Sequence, residues 1–249
     1  MPFKNEHINI QASLPNLYNW LSQEIKDFEI LCVDDHSEDE SKDIIAGLNF
    51  QRVRIINNRF DRGKGSALKT AVIFSGVMYA LKDDDLVLFI DGAGQFDNSD
   101  IKMFLNLIHI YNSDVVIGNK RHASSCVSYG TKRRIVSFIY NLMTRILFGI
   151  TFRDTQSGMK LFRYGILDGL IHKVNSKRYA FDLELIVAIK EMGYRIVDAP
   201  VKVRKSLNKG SVRFSTILLT LFDTLVIFIN KSRGKYAQSD VRSTADILK

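Results

Sequence analysis

The chain has 249 residues, of which 46% are hydrophobic, 25% charged and 10% aromatic, values that exclude disordered, collagen-like and disulfide-scaffold classes. The net charge of +8 is uneven: residues 1–100 hold 10 Lys+Arg against 17 Asp+Glu, residues 101–199 hold 15 against 7, and residues 200–249 hold 10 against 3. An acidic first part beside a basic remainder points to two electrostatic tasks, cation binding in one place and attraction of phosphate or anionic lipid in another.

The two cysteines, Cys32 and Cys126, are too few for a disulfide framework or a four-ligand zinc site. No run reaches the roughly 18 apolar residues of a transmembrane helix, and no secretory signal pattern follows Met1, so a reducing compartment is expected.

In chain order, β-rich runs at residues 28–33, 53–57, 86–91 and 114–118 alternate with helical spacing over 39–48, 66–81 and 100–110. This alternation predicts an α/β fold with a mostly parallel sheet flanked by helices. Ligands in such sheets bind at the carboxyl ends of the strands, where Asp34, Asp35 and Asp91 fall. Beyond them the pattern predicts helices over 131–148 and 182–192, a strand over 195–203, an apolar-faced helix over 214–230 and a frayed polar tail from 232.

Three segments carry chemistry. In Cys32-Val33-Asp34-Asp35-His36-Ser37-Glu38-Asp39, carboxylates at a strand end suit a base edge or ribose hydroxyls, while Ser37 or Asp39 caps the next helix; capping alone explains the pattern equally well. Arg62-Gly63-Lys64-Gly65-Ser66 offers close backbone approach and a helix start that favours an anion. It is neither a Walker loop nor a dinucleotide fingerprint, and a plain tight turn accounts for it as readily. Asp91-Gly92-Ala93-Gly94-Gln95 ends a strand with a carboxylate and a glycine turn. One or two carboxylates suffice for a hard divalent cation that bridges a diphosphate, so Asp91 with Gln95 is a candidate site for Mg²⁺ or Mn²⁺.

Taken jointly, the Val33-Asp34-Asp35-x-Ser37-x-Asp39 run, the Arg62-Gly63-Lys64-Gly65 turn and the Asp91 turn resemble inverting family 2 glycosyltransferases of GT-A (Rossmann-like) fold. Pro2-Phe3-Lys4-Asn5-Glu6 resembles the Pro-x-x-Asn-Glu segment after that family's first strand. The runs Asp154 to Phe162 and Arg178 to Leu185 are similar to the dolichyl-phosphate β-glucosyltransferase branch. The resemblance covers roughly residues 2–211. It implies a domain over 1–211, with a nucleotide-sugar half at 1–118 and an acceptor half at 119–211, then an amphipathic helix and polar tail at 212–249.

The resemblance further implies that Pro2, Glu6, Asp34 and Asp35 border the nucleoside, that Lys64 lies near the diphosphate, and that Asp91 and Gln95 hold the metal. Arg121 and Arg134 match positions associated with the acceptor phosphate. Gln156, Gly158 and Lys160 would line the sugar pocket, and Asp182 and Glu184 would contact donor or acceptor. For Asp182, a helix N-cap is an equally good account.

Two departures stand out. Ala93 occupies the place of the family's second metal-motif carboxylate. The chain also begins at the Pro-x-x-Asn-Glu segment, so the first, central strand is expected to be missing.

The implied activity is transfer of a hexose, glucose first, from a nucleotide sugar such as UDP-glucose to a polyprenyl or dolichyl phosphate. GDP-mannose as donor and a non-catalytic nucleotide-sugar or lipid-binding relative are the alternatives. No nucleic-acid partner is expected. The apolar faces of 131–148 and 214–230, flanked by Arg133, Arg134, Arg213, Lys231, Arg233 and Lys235, suit interfacial helices at an anionic membrane surface. Peripheral attachment to the cytoplasmic face follows; helices that merely complete the core are the competing account.

Overall fold

A computed structural model of the chain describes residues 1–58, 63–92, 94–127, 131–151, 154–204 and 214–237, without the side chains of 127, 131–136, 214 and 215. Strand β1 (Pro2–Phe3) leads through α1 (His7–Glu24), β2 (Ile30–Asp34), α2 (Ser41–Gly47) and β3 (Val53–Asn57) to α3 (Lys64–Tyr79). Next come β4 (Leu86–Ile90), α4 (Ser99–Ile110), β5 (Val115–Asn119), β6 (Cys126–Val127) and α5 (Thr131–Phe148). Then follow β7 (Met159–Arg163), α6 (Tyr164–Ile171), α7 (Phe181–Glu191), β8 (Ile196–Pro200), β9 (Lys202–Val203) and α8 (Phe214–Ser232).

The expected strands and helices form, and the pairings β1·β2, β2·β3, β5·β8 and β6·β9 are parallel. The pairing is thus mostly parallel, as expected, with one strand as the exception. Strand β7 lies antiparallel between β4 and β5, giving the order β4-β7-β5-β8, while β1-β2-β3 form a separate sheet. The expected strand over 195–203 is two strands in different sheets, parted at Val201, whose N–H is donated to Ser125 Oγ at 3.0 Å. At the place of the first strand only two residues pair, Pro2 with Val33 and Phe3 with Asp34. The Met1 amino group extends this pairing by donating to the Leu31 carbonyl at 2.7 Å. Gly92 N–H reaches the Pro2 carbonyl at 3.2 Å and thereby ties the chain after β4 to β1.

Alternation along β7 sets up much of the interior. Met159 and Leu161 join a cluster with Ile10, Leu14 and Phe104, whereas Phe162 joins the opposite cluster with Phe89, Phe181 and Leu185. Lys160 shares its face with Phe162 and therefore points toward α7. Helix α7 is buried from Phe181 through Ile189, which places its acidic first turn in the interior.

The tail is not wholly frayed. Tyr236 is 1% exposed and packs in the cluster with Phe162, and its hydroxyl is donated to Glu184 Oε1 at 2.7 Å. The residues beyond 237 lie outside the described ones.

Close packing of α3 on α6 is tested at Gly76, where an added Cβ would land on the Tyr164 hydroxyl. Gly76→Ala is expected to destabilise by about 1–3 kcal/mol, as overpacking does. Adding Tyr164→Phe should recover part of the loss, read from chemical-denaturation midpoints of the single and double variants.

Candidate functional site

Four elements deliver four charges to one place. Asp91 follows β4, Lys64 opens α3, Asp182 lies in the first turn of α7 and Lys160 projects from β7. Lys64 Nζ stands 2.9 Å from Asp91 Oδ1 and 3.0 Å from Asp182 Oδ2, and Lys160 Nζ stands 2.6 Å from Asp182 Oδ1. Charges alternate along this chain, so each buried carboxylate meets a cation. The Lys160 and Asp182 side chains are 1% and 5% exposed, whereas Lys64 and Asp91 at the other end are 23% and 35% exposed.

Burial pushes the Asp182 carboxyl up, but the Lys160 and Lys64 ammonium groups outweigh it and bring its pKa down to about 2. For Lys64, burial acts downward, yet Asp182 and Asp91 prevail and raise it above the ordinary lysine value. Lys160 is lowered, chiefly by burial, with Asp182 opposing. Asp182 is therefore an ionised anchor. The N-cap account of this residue is corrected: Ala180 occupies that position, and the Asp182 oxygens go to the two lysines.

Beside this chain lies a groove of about 420 Å³ lined by Asp34, His36, Ser37, Glu38, Lys42, Asn57 and Asn58. It opens where β2 and β3 end. Asp34 Oδ1 accepts the Ser37 N–H at 2.9 Å, and Lys42 Nζ lies 3.4 Å from its Oδ2. Asp35 faces the other way and accepts from Asn58 Nδ2 at 2.9 Å and Gly63 N–H at 3.0 Å, so it secures the turn before α3. Asn58 lines the groove and Asp35 binds both Asn58 and Gly63, so the groove wall is tied to the turn that carries Lys64. Asp39 Oδ1 accepts the Ser41 N–H at 3.1 Å and thus serves the start of α2, while Ser37 Oγ accepts from Asn5 N–H.

Other expected site residues fall as follows. Pro2 abuts Gly92 through its carbonyl, and the Glu6 carboxylate accepts from Asn9 Nδ2 at 2.5 Å. Gly158 lies against Asp91, since a Cβ there would strike the carboxylate. Gln156 takes its backbone N–H to Asp154 Oδ1 at 3.2 Å. Arg121 donates from Nη2 to Ser137 Oγ at 3.0 Å, and its guanidinium carbon stands 5.7 Å from the centre of the Phe138 ring, so it faces α5. The Arg134 side chain lies outside the described residues, as do Arg62 and Ala93.

Two of the residues expected at the substrate have partners within the protein. Lys160 donates from its ammonium to Asp182 and to the Ser157 carbonyl. Glu184 is 1% exposed. Its Oε2 accepts the N–H groups of Asn175 at 2.9 Å and Ser176 at 2.6 Å, and its Oε1 accepts from Tyr236. Both oxygens thus serve the loop before α7 and the segment after α8.

Sequence reasoning missed Asn57 and Asn58. Asn58 Oδ1 accepts from Ser66 Oγ at 3.2 Å and Thr70 Oγ1 at 3.0 Å, which welds the β3 end to α3. The signal was present: these two amides close β3 as Asp34 and Asp35 close β2.

Among the described residues no three His, Cys, Asp or Glu side chains converge as a metal centre. The donor set still fits a divalent cation of the kind that bridges a diphosphate. Asp91 is a hard, partly exposed carboxylate, and the bare Gly158 backbone beside it leaves a cradle that any side chain would fill.

The family model described as Glycosyl transferase family 2 matches residues 1–171. Dolichyl-phosphate beta-glucosyltransferase ALG5A of Trichomonas vaginalis is 24% identical over 252 residues, covering 97% of this chain and 76% of that protein. Dolichyl-phosphate beta-glucosyltransferase of Dictyostelium discoideum is 23% identical and covers 81% of this chain, which spans 64% of that relative's length. Undecaprenyl-phosphate mannosyltransferase of Micrococcus luteus is 24% identical, covering 76% and 77%. Among solved structures, glucosyl-3-phosphoglycerate synthase of Mycobacterium tuberculosis, in complex with Mn²⁺, UDP-glucose and phosphoglyceric acid, superposes with a TM-score of 0.66 at 17% identity. That match covers 92% of this chain and 77% of the other, and carries the GT-A-like fold.

Asp182→Asn leaves the buried Lys160 ammonium without its carboxylate and is expected to destabilise by about 3–5 kcal/mol at neutral pH. The pKa of Asp182 is about 2 in the folded protein against roughly 3.9 unfolded, so its stabilisation is complete above roughly pH 4 and lost as pH falls through about 2. Denaturation midpoints measured from pH 7 to pH 2 should therefore show the gap between the two proteins closing at the acid end.

Proposed function

The chain belongs to Glycosyl transferase family 2, and from that premise we propose that this glycosyltransferase moves glucose from UDP-glucose to a dolichyl or related polyprenyl phosphate with inversion. The observation that carries this reading is Asp35, which ties Asn58 in the wall of the groove to Gly63 and so to the Asp91–Lys64–Asp182 charges. Residues 1–118 would hold the donor, with the nucleoside in the Asp34 groove and the diphosphate toward Lys64 and the start of α3. Residues 119–211 would present the acceptor, with Arg121 and Arg134 on its phosphate. The curated dolichyl-phosphate glucosyltransferases support both the sugar and the lipid.

The chemistry requires no strong base. A phosphate monoester has its second pKa near 6, so at pH 7 it is mostly dianionic and one of its oxygens attacks the anomeric carbon. The bond to the sugar forms as the bond from that carbon to the diphosphate oxygen breaks, and the electron pair leaves with the nucleoside diphosphate. A single in-line displacement inverts the centre. Asp91 and Gln95 would hold Mg²⁺ or Mn²⁺, which when bound supplies positive charge for the departing diphosphate. Asp182 keeps Lys64 in place rather than removing a proton.

Attachment to the cytoplasmic face of a membrane completes the reading. No described helix is long and apolar enough to cross a bilayer. Yet α5 exposes Phe138, Ile139 and Ile146, and α8 exposes Leu218, Phe222 and Leu225, with Ile146 at 74% and Phe222 at 65%. Among the described residues these faces are open to solvent. The two helices are joined by the Tyr140 and Thr224 hydroxyls at 2.9 Å, so they form one apolar surface.

A mannose donor is the second reading, favoured by the similarity to the Micrococcus luteus enzyme. Incubation with radiolabelled UDP-glucose or GDP-mannose, polyprenyl phosphate and Mg²⁺ or Mn²⁺ decides between them by which label enters the lipid phase. Asp91→Ala should lower transfer by about 10²–10³-fold, the usual cost of removing one charge-stabilising group. Lipid labelled by neither donor, with UDP still bound, would favour a non-catalytic relative, a reading motivated by Ala93.

For the surface, the wild-type chain should float with vesicles containing anionic lipid. A double variant Ile146→Glu and Phe222→Glu should remain at the bottom of the gradient.

A further inference from the structure

Resting on the donor reading above, we propose that Lys64 is a resident counter-cation for Asp91, released to a nucleoside diphosphate so that a divalent cation and the donor enter together. Among the described residues Asp91 has a single salt-bridge partner, the Lys64 ammonium at 2.9 Å from Oδ1. Its other oxygen lies against the bare Gly158 backbone, on the side of the cradle. A divalent cation bound to this carboxylate in the free protein stands beside the Lys64 ammonium and is opposed by like charge.

Asp182 is not so dependent on Lys64. Its Oδ1 is held by Lys160 at 2.6 Å in the interior, so it remains paired when Lys64 turns away. Lysine carries three donors, and the two carboxylates occupy two of them, which leaves one for a phosphate oxygen. The backbone beneath cannot shift far, because a Cβ at Gly65 would collide with Phe181. Movement is thus confined to the flexible four-carbon stem of Lys64. A nucleoside diphosphate supplies what the exchange needs: anionic oxygens for the ammonium and the remaining oxygen ligands for the cation. The binding of the two should consequently be strongly cooperative.

The test measures Mn²⁺ binding by the loss of the free-ion electron paramagnetic resonance signal, with and without UDP, and records UDP binding separately by calorimetry. Wild-type protein should bind Mn²⁺ weakly alone and more tightly with UDP. Lys64→Met, which removes the competing charge, should bind Mn²⁺ without UDP about tenfold more tightly than wild type, the scale of one charged hydrogen bond. Lys64→Arg, which keeps the charge, should behave as wild type. Equal Mn²⁺ affinity of wild type and folded Lys64→Met in the absence of UDP overturns the proposal. So does a wild-type Mn²⁺ affinity that UDP leaves unchanged, an outcome that needs no variant. UDP binding without coupling to Mn²⁺ sinks this inference alone, whereas absence of UDP binding removes the donor reading with it.

Discussion

An ion placed in a protein interior loses its hydration, and the loss is recovered only when an opposite charge with good geometry stands beside it. The run Asp91, Lys64, Asp182, Lys160 meets that demand by alternating sign from the surface inward, and much of the architecture follows from it. Strand β7 has to lie antiparallel inside the sheet with Lys160 facing α7, and α7 has to start at Phe181 with its acidic turn buried. Helix α3 has to begin against α7, which is why Gly65 tolerates no side chain. Remove the ammonium groups and the carboxylates have no place in this interior.

The polar scaffold around the site is of a different kind, built from neutral hydrogen bonds that fix loops. Asp35 and Asn58 bind the ends of β2 and β3 to the turn before α3. The Lys177 carbonyl accepts the Ser66 N–H at 3.1 Å and holds the same turn from the side of α7. A carboxylate that reads in sequence as a ligand can thus serve as an anchor, and Asp35 and Glu184 both do.

Legibility followed how local each signal is. Strands β2 to β5 were readable because apolar runs closed by polar residues need only their own sequence, and α5 was bounded to the residue by its periodicity. Helix α1 escaped notice although Ile10, Leu14 and Leu17 mark a buried stripe, because Pro15 and a polar face of Asn and Gln mask it. Strand β7 is hidden in sequence because its run contains two charges, Lys160 and Arg163, and only the long-range partner Asp182 explains the first. The site was legible as an inventory of Asp34, Lys64, Asp91 and Asp182. The pairing of Lys64 with two carboxylates, one 27 and one 118 positions away in the chain, was not, since no local pattern encodes it.

The seat of Tyr236 bears on how such a protein is handled. Helix α8 presents a greasy outer flank, and excising everything from its start would be the customary route to a better-behaved sample. Here that cut would take away an aromatic plug and strip Glu184 of its hydroxyl donor, opening the interior next to α7. Repainting the outward residues with polar ones, while keeping the helix and its last turn intact, is the change that this architecture permits.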